Sequence, residues 1–439
     1  MRAKMVYNYP RVAYYVAALL HHTRWSRQKL LEYQNRKLRE IVKYAYEHVP
    51  FYHQKFSQAN LKPDDVKNVD DLNKVPIINR DELQENYEKL ISDEFKMDRL
   101  KVASTSGSTG KPFFTYLTER EDAFRKAKLL RPHIVCGQKP RDKWVIIGPP
   151  WHHGKIGRVQ RFLGVYAPIF VSIFDAVPDQ ISKISRIKPD VLDGYTSSLI
   201  LLANELDGMG SSIIKPKFLM GGAELIDDKS REYIENVFGV PYYDQYASEE
   251  FQMLAWQCPE KDEYHIDADT VVMQFLDDND EEVSPGEEGR IVCTSLFNYA
   301  MPIIRYELGD IGVPSGESEC ACGRKFPLMK MIKGRKEEIV VLPDGRKFAP
   351  VAIGDLMCAF KYFNMISQYR FIQKKIDEFK ILIKRKNESV PEITFKTELL
   401  NHVRRILKIN EADVVINVEL VNEIPPDKSG KIRKVVSEL

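Results

Sequence analysis

Apolar spacing defines the first elements of the chain. From Ser26 onward, Leu30, Leu31, Leu38, Ile41, Val42 and Ala45 recur at helical intervals with charges between them. This predicts a long amphipathic helix ending before Pro50. A shorter apolar run, Val12–Leu20, predicts a helix ahead of it. In the middle of the chain, apolar runs at Ile169–Phe174, Val191–Gly194, Phe218–Gly221 and Val240–Tyr243 alternate with helical stretches at Gln180–Ile187, Ser197–Leu206 and Asp227–Phe238. That alternation predicts a parallel sheet with right-handed crossovers. The texture then changes: Thr270–Leu276 and Arg290–Ser295, joined by the turn-rich Asp277–Gly289, predict antiparallel strands of a second layer or barrel-like subdomain. After Gly334-Arg335 come a hairpin Ile339–Phe348 around Asp344-Gly345, a helix, strands near Ser367–Gln373 and Phe379–Lys384, a helix Glu392–Leu407 and a strand Val414–Leu420. The expected fold class is α/β: a large N-terminal domain, residues 1–334, of wound sheets plus a β subdomain, and a small mobile C-terminal α+β domain, residues 335–439.

Composition narrows the partners. Lys+Arg of 65 against Asp+Glu of 63 leaves a net charge of +2, so no global basic footprint points to nucleic acid. Val12–Leu20 is too short to span a bilayer. Arg2, Lys4 and Arg11 ahead of it imitate a signal peptide, but His21-His22-Thr23-Arg24-Trp25 offers no small-residue cleavage site. No integral membrane segment is expected, with interfacial contact by the first helix as the alternative. Six scattered cysteines do not make a secreted disulfide framework, and a reducing, cytoplasmic compartment is expected.

The densest chemical signal is Ser104-Thr105-Ser106-Gly107-Ser108-Thr109-Gly110-Lys111-Pro112. Its hydroxyls and glycines suit a loop that surrounds phosphate oxygens, and Lys111 adds charge. The spacing is not that of a Walker A loop, because two residues rather than four separate the glycines and Pro112 follows the lysine. The plainer alternative is a Ser/Thr/Gly linker. A second constellation joins Cys258-x6-His265 to Cys320-Ala321-Cys322. Three thiolates and one imidazole form the closed tetrahedral shell of a structural Zn²⁺ site, although Cys-x-Cys is less specific than Cys-x-x-Cys.

The hydroxyl-rich loop, with five further segments in the same order, resembles the adenylate-forming superfamily of acyl-CoA synthetases, most closely phenylacetate–CoA ligases and related capsule-biosynthesis proteins. The likeness runs through essentially the whole chain, including Tyr44-Ala45 and Val49-Pro50-Phe51-Tyr52. It implies that Gly222, Ala223 and Glu224, after a predicted strand, cover one face of adenine while Tyr246 stacks on the other. In Tyr246-Ala247-Ser248-Glu249-Glu250, Glu250 falls on the family's Mg²⁺-ligating glutamate, a hard oxygen donor. Ala247 replaces a usual glycine, and Glu249 puts a second carboxylate where phosphate is expected, so it turns away, binds metal or weakens ATP binding. Standing alone, the segment reads equally as an acidic helix start. Asp310, in Arg305-Tyr306-Glu307-Leu308-Gly309-Asp310, is implied to clamp the ribose hydroxyls. Glu337 occupies the hinge, where Asp is common, with Arg335 close to the nucleotide. Lys431, in Ser429-Gly430-Lys431, is implied to be the catalytic lysine, a mobile point charge suited to the carboxylate and α-phosphate. Some members also carry a metal at cysteines placed like these. Trp151-His152-His153 lies where the family lines its acyl pocket, and paired histidines otherwise read as a metal pair, a general base or plain surface.

The implied activity has two steps: ATP and Mg²⁺ activate a carboxylic acid as acyl-AMP, and an acceptor such as CoA takes the acyl group. Two other readings stand beside it. One is adenylyl transfer to a cofactor or sugar; the other is an inactive nucleotide-binding relative in polysaccharide biosynthesis, which Glu249 alone favours.

Overall fold

A computed structural model of the chain describes residues 8–104, 114–148, 156–173, 175, 177–209, 213–316, 319–333, 340–348, 353, 356–357, 359–425 and 433–439. These form two compact units, Met1–Lys139 with Tyr243–Ile332, and Pro140–Tyr242 with Lys333–Leu439.

The first unit opens with the helix Tyr9–His22 and the long helix Arg27–His48. Ser26 caps the long helix by accepting the Lys29 N–H at 3.2 Å. Leu30, Leu38, Ile41, Val42 and Ala45 are buried as the spacing predicts, whereas Leu31 faces solvent. Pro50 does not merely stop this helix but sits at the first turn of the next, Pro50–Gln58, where its missing N–H leaves no gap in the ladder. These helices pack on a run of seven strands in the spatial order Val271–Leu276, Gly289–Ser295, Tyr306–Pro314, Leu328–Lys333, Lys261–Ile266, Gln252–Cys258, Tyr242–Ser248. The pairings Val271–Leu276 with Gly289–Ser295 and Gln252–Cys258 with Lys261–Ile266 are antiparallel. The strand expected at Val240–Tyr243 therefore begins later and continues through Ser248, carrying Tyr246 on a strand rather than in a helix start.

The helix Glu119–Val135 anchors this unit. A capping box joins Thr118 and Glu121 at its start, and the second Glu121 oxygen accepts the Ala300 N–H at 3.0 Å. Near its end Arg131, with no solvent exposure, pairs with Asp267 at 2.5 Å and Asp269 at 2.7 Å, both equally shut off from water. His22 meets Asp269 at 2.8 Å, and the Trp256 indole N–H donates to Asp267 at 2.7 Å. Burial disfavours both carboxylates; Arg131 more than offsets this at Asp269, which is held below the usual range, whereas Asp267 stays raised.

The second unit contains two sheets. Phe218–Gly222, Val191–Tyr195, Trp144–Gly148 and Ile169–Ser172 lie side by side and parallel, with helices Val177–Ile187, Thr196–Gly208 and Asp228–Phe238 as crossovers. The C-terminal segment forms a four-stranded sheet, Val415–Leu420, Glu378–Arg385, Ile366–Lys375, Val435–Ser437, whose central pair is antiparallel and whose edges are parallel. The helix Glu392–Leu407 covers it, with Phe395, Leu399, Val403 and Leu407 buried in its core. Within this unit Asn204 donates to the Ser367 carbonyl at 3.2 Å, and the Lys434 ammonium lies 3.7 Å from Asp227.

Gly221 illustrates how tightly the parallel sheet is filled. A Cβ there would lie 1.9 Å from the Tyr242 hydroxyl and 2.4 Å from its ring, and Tyr242 is itself buried and bonded through its hydroxyl to Thr196 at 2.9 Å. The glycine serves close approach of a neighbouring ring. Gly221→Ala is expected to destabilise the protein by about 1–3 kcal/mol through overpacking. Thermal unfolding checks this: adding Tyr242→Ala should bring the double variant closer to Tyr242→Ala alone than additivity allows.

Candidate active site and metal cluster

Tyr246 and Asp310, 64 residues apart, meet in the first unit, where the tyrosine hydroxyl donates to the Asp310 carboxylate at 2.6 Å. The bond fixes the ring by its far end, and a carboxylate is the group type that accepts from both hydroxyls of a vicinal diol. Asp310 stands not in an isolated turn but inside the strand Tyr306–Pro314, just after Gly309, whose φ of +78° an L side chain rarely adopts. Glu250 is 5% exposed and accepts a hydrogen bond from Tyr306 at 3.3 Å. A buried carboxylate with a single long hydrogen bond among the described residues has oxygen lone pairs to offer a hard cation, so Glu250 suits Mg²⁺. Arg305, from the same motif as Asp310, has a different task. Its guanidinium donates to the Asn73 and Val75 carbonyls and ties the 73–75 segment to the strand.

The turn that carries Glu250 is held from behind. A register shift between Tyr246 and Ala247 kinks the strand, and Gln252 takes φ of +66°. Arg125, from the helix Glu119–Val135, donates to the Glu249 carbonyl at 2.8 Å and to the Gln252 side-chain oxygen at 3.1 Å. Its guanidinium also lies 3.6 Å from the Glu249 carboxylate. Of the three fates open to Glu249, the side chain turns onto Arg125. Sequence reasoning missed Arg125 and Lys128; the available signal was cations at i, i+3 and i+6 through Arg131, a stripe that normally marks a solvated face.

In the second unit, Gly222 ends the strand Phe218–Gly222, and Ala223 adopts φ of +66°, a left-handed conformation unusual for alanine. Glu224 accepts the Ser197 N–H at 2.8 Å at the start of the helix Thr196–Gly208, so its carboxylate caps that helix.

Cys258, His265, Cys320 and Cys322 form a cluster able to hold a metal ion, their ligand atoms all within 4.8 Å of one another. Cys258 ends one strand and His265 lies on its antiparallel neighbour. The Cys258 and Cys320 sulfurs are 3.5 Å apart, and Cys322 Sγ is 3.4 Å from His265 Nε2. Burial pushes the Cys258 thiol up to about 12. Burial acts the same way on Cys322, but hydrogen bonds from His265 and Arg324 outweigh it and bring that thiol down to about 5. One poised thiolate and buried neutral thiols so close together fit a divalent cation, which would stabilise all three as thiolates. The donor set is closed, which suits a structural ion.

The remaining candidates are only partly described. Ser104 ends a strand and pairs with Phe114 across an antiparallel ladder, and these two bracket Thr105, Ser106, Gly107, Ser108, Thr109, Gly110 and Lys111, which lie outside the described residues. So do Trp151, His152, His153, Arg335, Glu337 and Lys431. No helix among the described residues is long and apolar enough to cross a membrane.

Known proteins share this architecture. The CapK C-terminal domain family matches residues 344–438. A phenylacetate-coenzyme A ligase of Thermus thermophilus is 23% identical over 441 residues, covering 93% of this chain and 97% of that protein. Protein CapK of Staphylococcus aureus is 25% identical over 426 residues, covering 93% and 90% respectively. The crystal structure of 2-hydroxyisobutyryl-CoA ligase, in the postadenylation state in complex with 2-HIB-AMP, aligns with a TM-score of 0.76 at 20% identity over 94% of this chain and 90% of that one. This last similarity shows the fold: a large N-terminal α/β part and a small C-terminal α+β part. The C-terminal segment thus matches the CapK C-terminal domain family, and the chain as a whole is similar to phenylacetate–CoA ligases and CapK proteins in sequence and to CoA ligases in fold.

Proposed function

We propose that this chain is an AMP-forming acid ligase that activates a carboxylic acid with ATP and passes the acyl group to an acceptor, in the first instance CoA. The observation that carries the reading is the Tyr246–Asp310 hydrogen bond, with Glu250 and Tyr306 paired in the same unit. An aromatic ring, a diol-binding carboxylate and a buried hard-oxygen donor make up the chemistry of a magnesium-nucleotide site. Relatives named as phenylacetate-coenzyme A ligases, and a neighbour holding an acyl adenylate, support the same class.

In this reading a carboxylate oxygen of the acid attacks the α-phosphate, the bond to the β-phosphate oxygen breaks, and pyrophosphate leaves. Mg²⁺, when bound, offsets phosphate charge. Ser104, Thr105, Ser106, Gly107, Ser108, Thr109, Gly110 and Lys111 receive the pyrophosphate, and Gly222, Ala223 and Glu224 contribute to adenine binding. Lys431 stabilises the charge that builds on the reacting oxygens, with Arg335 as a second cation. Trp151, His152 and His153 shape the acyl pocket. The C-terminal segment then turns about Glu337, and the acceptor thiol attacks the acyl carbon, losing its proton and releasing AMP. Cys258, His265, Cys320 and Cys322 would hold a Zn²⁺ whose closed shell would be structural and take no part in these steps. Because Glu249 turns its charge onto Arg125, the inactive-relative reading loses the one feature that favoured it.

Exchange of labelled pyrophosphate into ATP tests the first half-reaction. Aryl, fatty, amino and sugar acids are offered in turn, and at least one should support acid-dependent exchange. Glu250→Gln should remove most of it, and Lys431→Ala should lower it by about 10²–10³ while leaving ATP binding nearly intact. Exchange by Lys431→Ala within about threefold of the parent would rule out the role given to that lysine. Transfer of label from α-labelled ATP onto a sugar or cofactor would replace the ligase reading by adenylyl transfer.

The metal has its own readout. Elemental analysis should find about one Zn²⁺ per chain, and strong chelators should remove it with loss of thermal stability. Joint substitution of Cys320 and Cys322 by serine should destabilise the fold without a specific change in ATP affinity. Metal-free protein of full stability would contradict the assignment.

A further inference from the structure

The turn Glu249–Gln252 presents two adjacent carboxylates of different kinds. Glu250 is buried beneath Tyr306, whereas the Glu249 side chain keeps 37% of its surface exposed. If Glu250 ligates Mg²⁺ beside the phosphates of ATP, a carboxylate on the preceding residue that faced them would repel those same phosphates. The structure contains a compensating group. Arg125 is 5% exposed and reaches the turn from the helix Glu119–Val135. Of the two acids one turn from it on that helix, Glu121 accepts the Tyr299 and Ala300 N–H groups, and Asp122 is held by Lys101 at 2.5 Å and Lys126 at 2.8 Å. The carboxylates of the turn are therefore the counterions left for Arg125, and Glu249 lies 3.6 Å away.

The same guanidinium makes the turn's backbone contacts. It bonds the Glu249 carbonyl at 2.8 Å and the side chain of Gln252, the residue held at positive φ. Three residues further along the helix, Lys128 has no solvent exposure and donates to the Phe251 carbonyl at 3.0 Å. Lys128 fixes the turn without approaching the Glu249 carboxylate through any bond of its own. Two cations from one helix thus do separable things: both fix backbone, and only Arg125 balances charge.

We infer that Arg125 is a positioning residue of the adenylation site, which draws the Glu249 carboxylate away from the nucleotide phosphates and leaves Glu250 as the turn's only metal-facing acid. The inference deepens the ligase reading and rests on the role proposed for Glu250. It explains how this chain accommodates a second carboxylate where phosphate is expected: the charge arrives with its own counterion. The ligand it concerns is the magnesium complex of a nucleoside triphosphate.

A double-variant cycle on the full-length protein separates charge balance from mere support. Arg125→Met keeps a buried side chain of similar reach and removes the charge. The variant should raise KM for MgATP in pyrophosphate exchange by about tenfold, the scale of one partly screened like charge near the phosphates, with kcat within about threefold. Introducing Glu249→Thr into Arg125→Met should bring KM back to within about threefold of the parent. Arg125→Lys should fall between the two. Lys128→Met supplies the contrast, since its defect comes from a loosened turn and Glu249→Thr should not relieve it. The same variants are titrated with MgATP by calorimetry, which reads the dissociation constant whether or not turnover occurs. No relief of Arg125→Met by Glu249→Thr, or equal relief of Lys128→Met, would overturn the inference while leaving the ligase reading intact. A calorimetric cycle that behaves as expected in a protein without acid-dependent exchange would sink the ligase reading and keep the inference. A parent protein that binds no MgATP removes both.

Discussion

Two carboxylates cannot be withdrawn from water unless something replaces their hydration, and in the first unit that constraint falls on Arg131. Asp267 and Asp269 lie on the segment joining two strands, and both close on one buried guanidinium. Removing Arg131 would leave these buried carboxylates only the His22 and Trp256 contacts, so the guanidinium ties the helix Glu119–Val135 to the segment that carries them. The helix is held at its other end as well, where Glu121 accepts the N–H of Ala300. Its central turns then become a fixed platform. Arg125 and Lys128 project from that platform onto the turn that carries Glu250, and bond the carbonyls of Glu249 and Phe251 on either side of it.

The metal cluster belongs to the same chain of dependence. Trp256 donates its indole N–H to Asp267 and packs its ring against His265 with centroids 4.9 Å apart. One side chain therefore touches both the buried ion cluster and the cysteine–histidine shell. Arg131 also lies over the Phe326 ring at 5.3 Å, just beyond the loop that supplies Cys320 and Cys322. Cys258 and Cys320 are themselves buried in one apolar cluster with Trp256, Phe326 and Leu328, and Cys322 packs against it. The chemistry of the site and the stability of its support share residues that are far apart in sequence.

Legibility in the sequence followed the physics of each element. The helix Glu392–Leu407 was readable because one buried face repeats at the helical period, and the strands around Val191 and Phe218 because parallel strands buried on both faces are continuous apolar runs. Lys261–Ile266 and Tyr306–Pro314 escaped notice for the opposite reason. The first opens on charged residues, and the second contains Gly309, Asp310 and Gly312, which look like a turn until neighbouring strands satisfy their backbone. Val435–Ser437 is too short to carry a pattern and exists because Phe371, Ile372 and Gln373 pair with it in parallel. At the site, Tyr246, Glu250 and Asp310 were legible as motif members, whereas their mutual contacts were not. Arg125 was invisible, since a cation stripe on a helix carries no sign of which carboxylates it will meet.

Attack of a carboxylate oxygen of the acid on the α-phosphate of ATP fixes the fate of a single atom. The direct measurement uses an acid labelled with ¹⁸O in its carboxylate, ATP, Mg²⁺ and CoA, followed by mass spectrometry of the nucleotide formed. Attack at the α-phosphate and later acyl transfer leave one ¹⁸O in AMP for each thioester made. Unlabelled AMP, ADP as the nucleotide product, or AMP retained on another molecule would contradict the account.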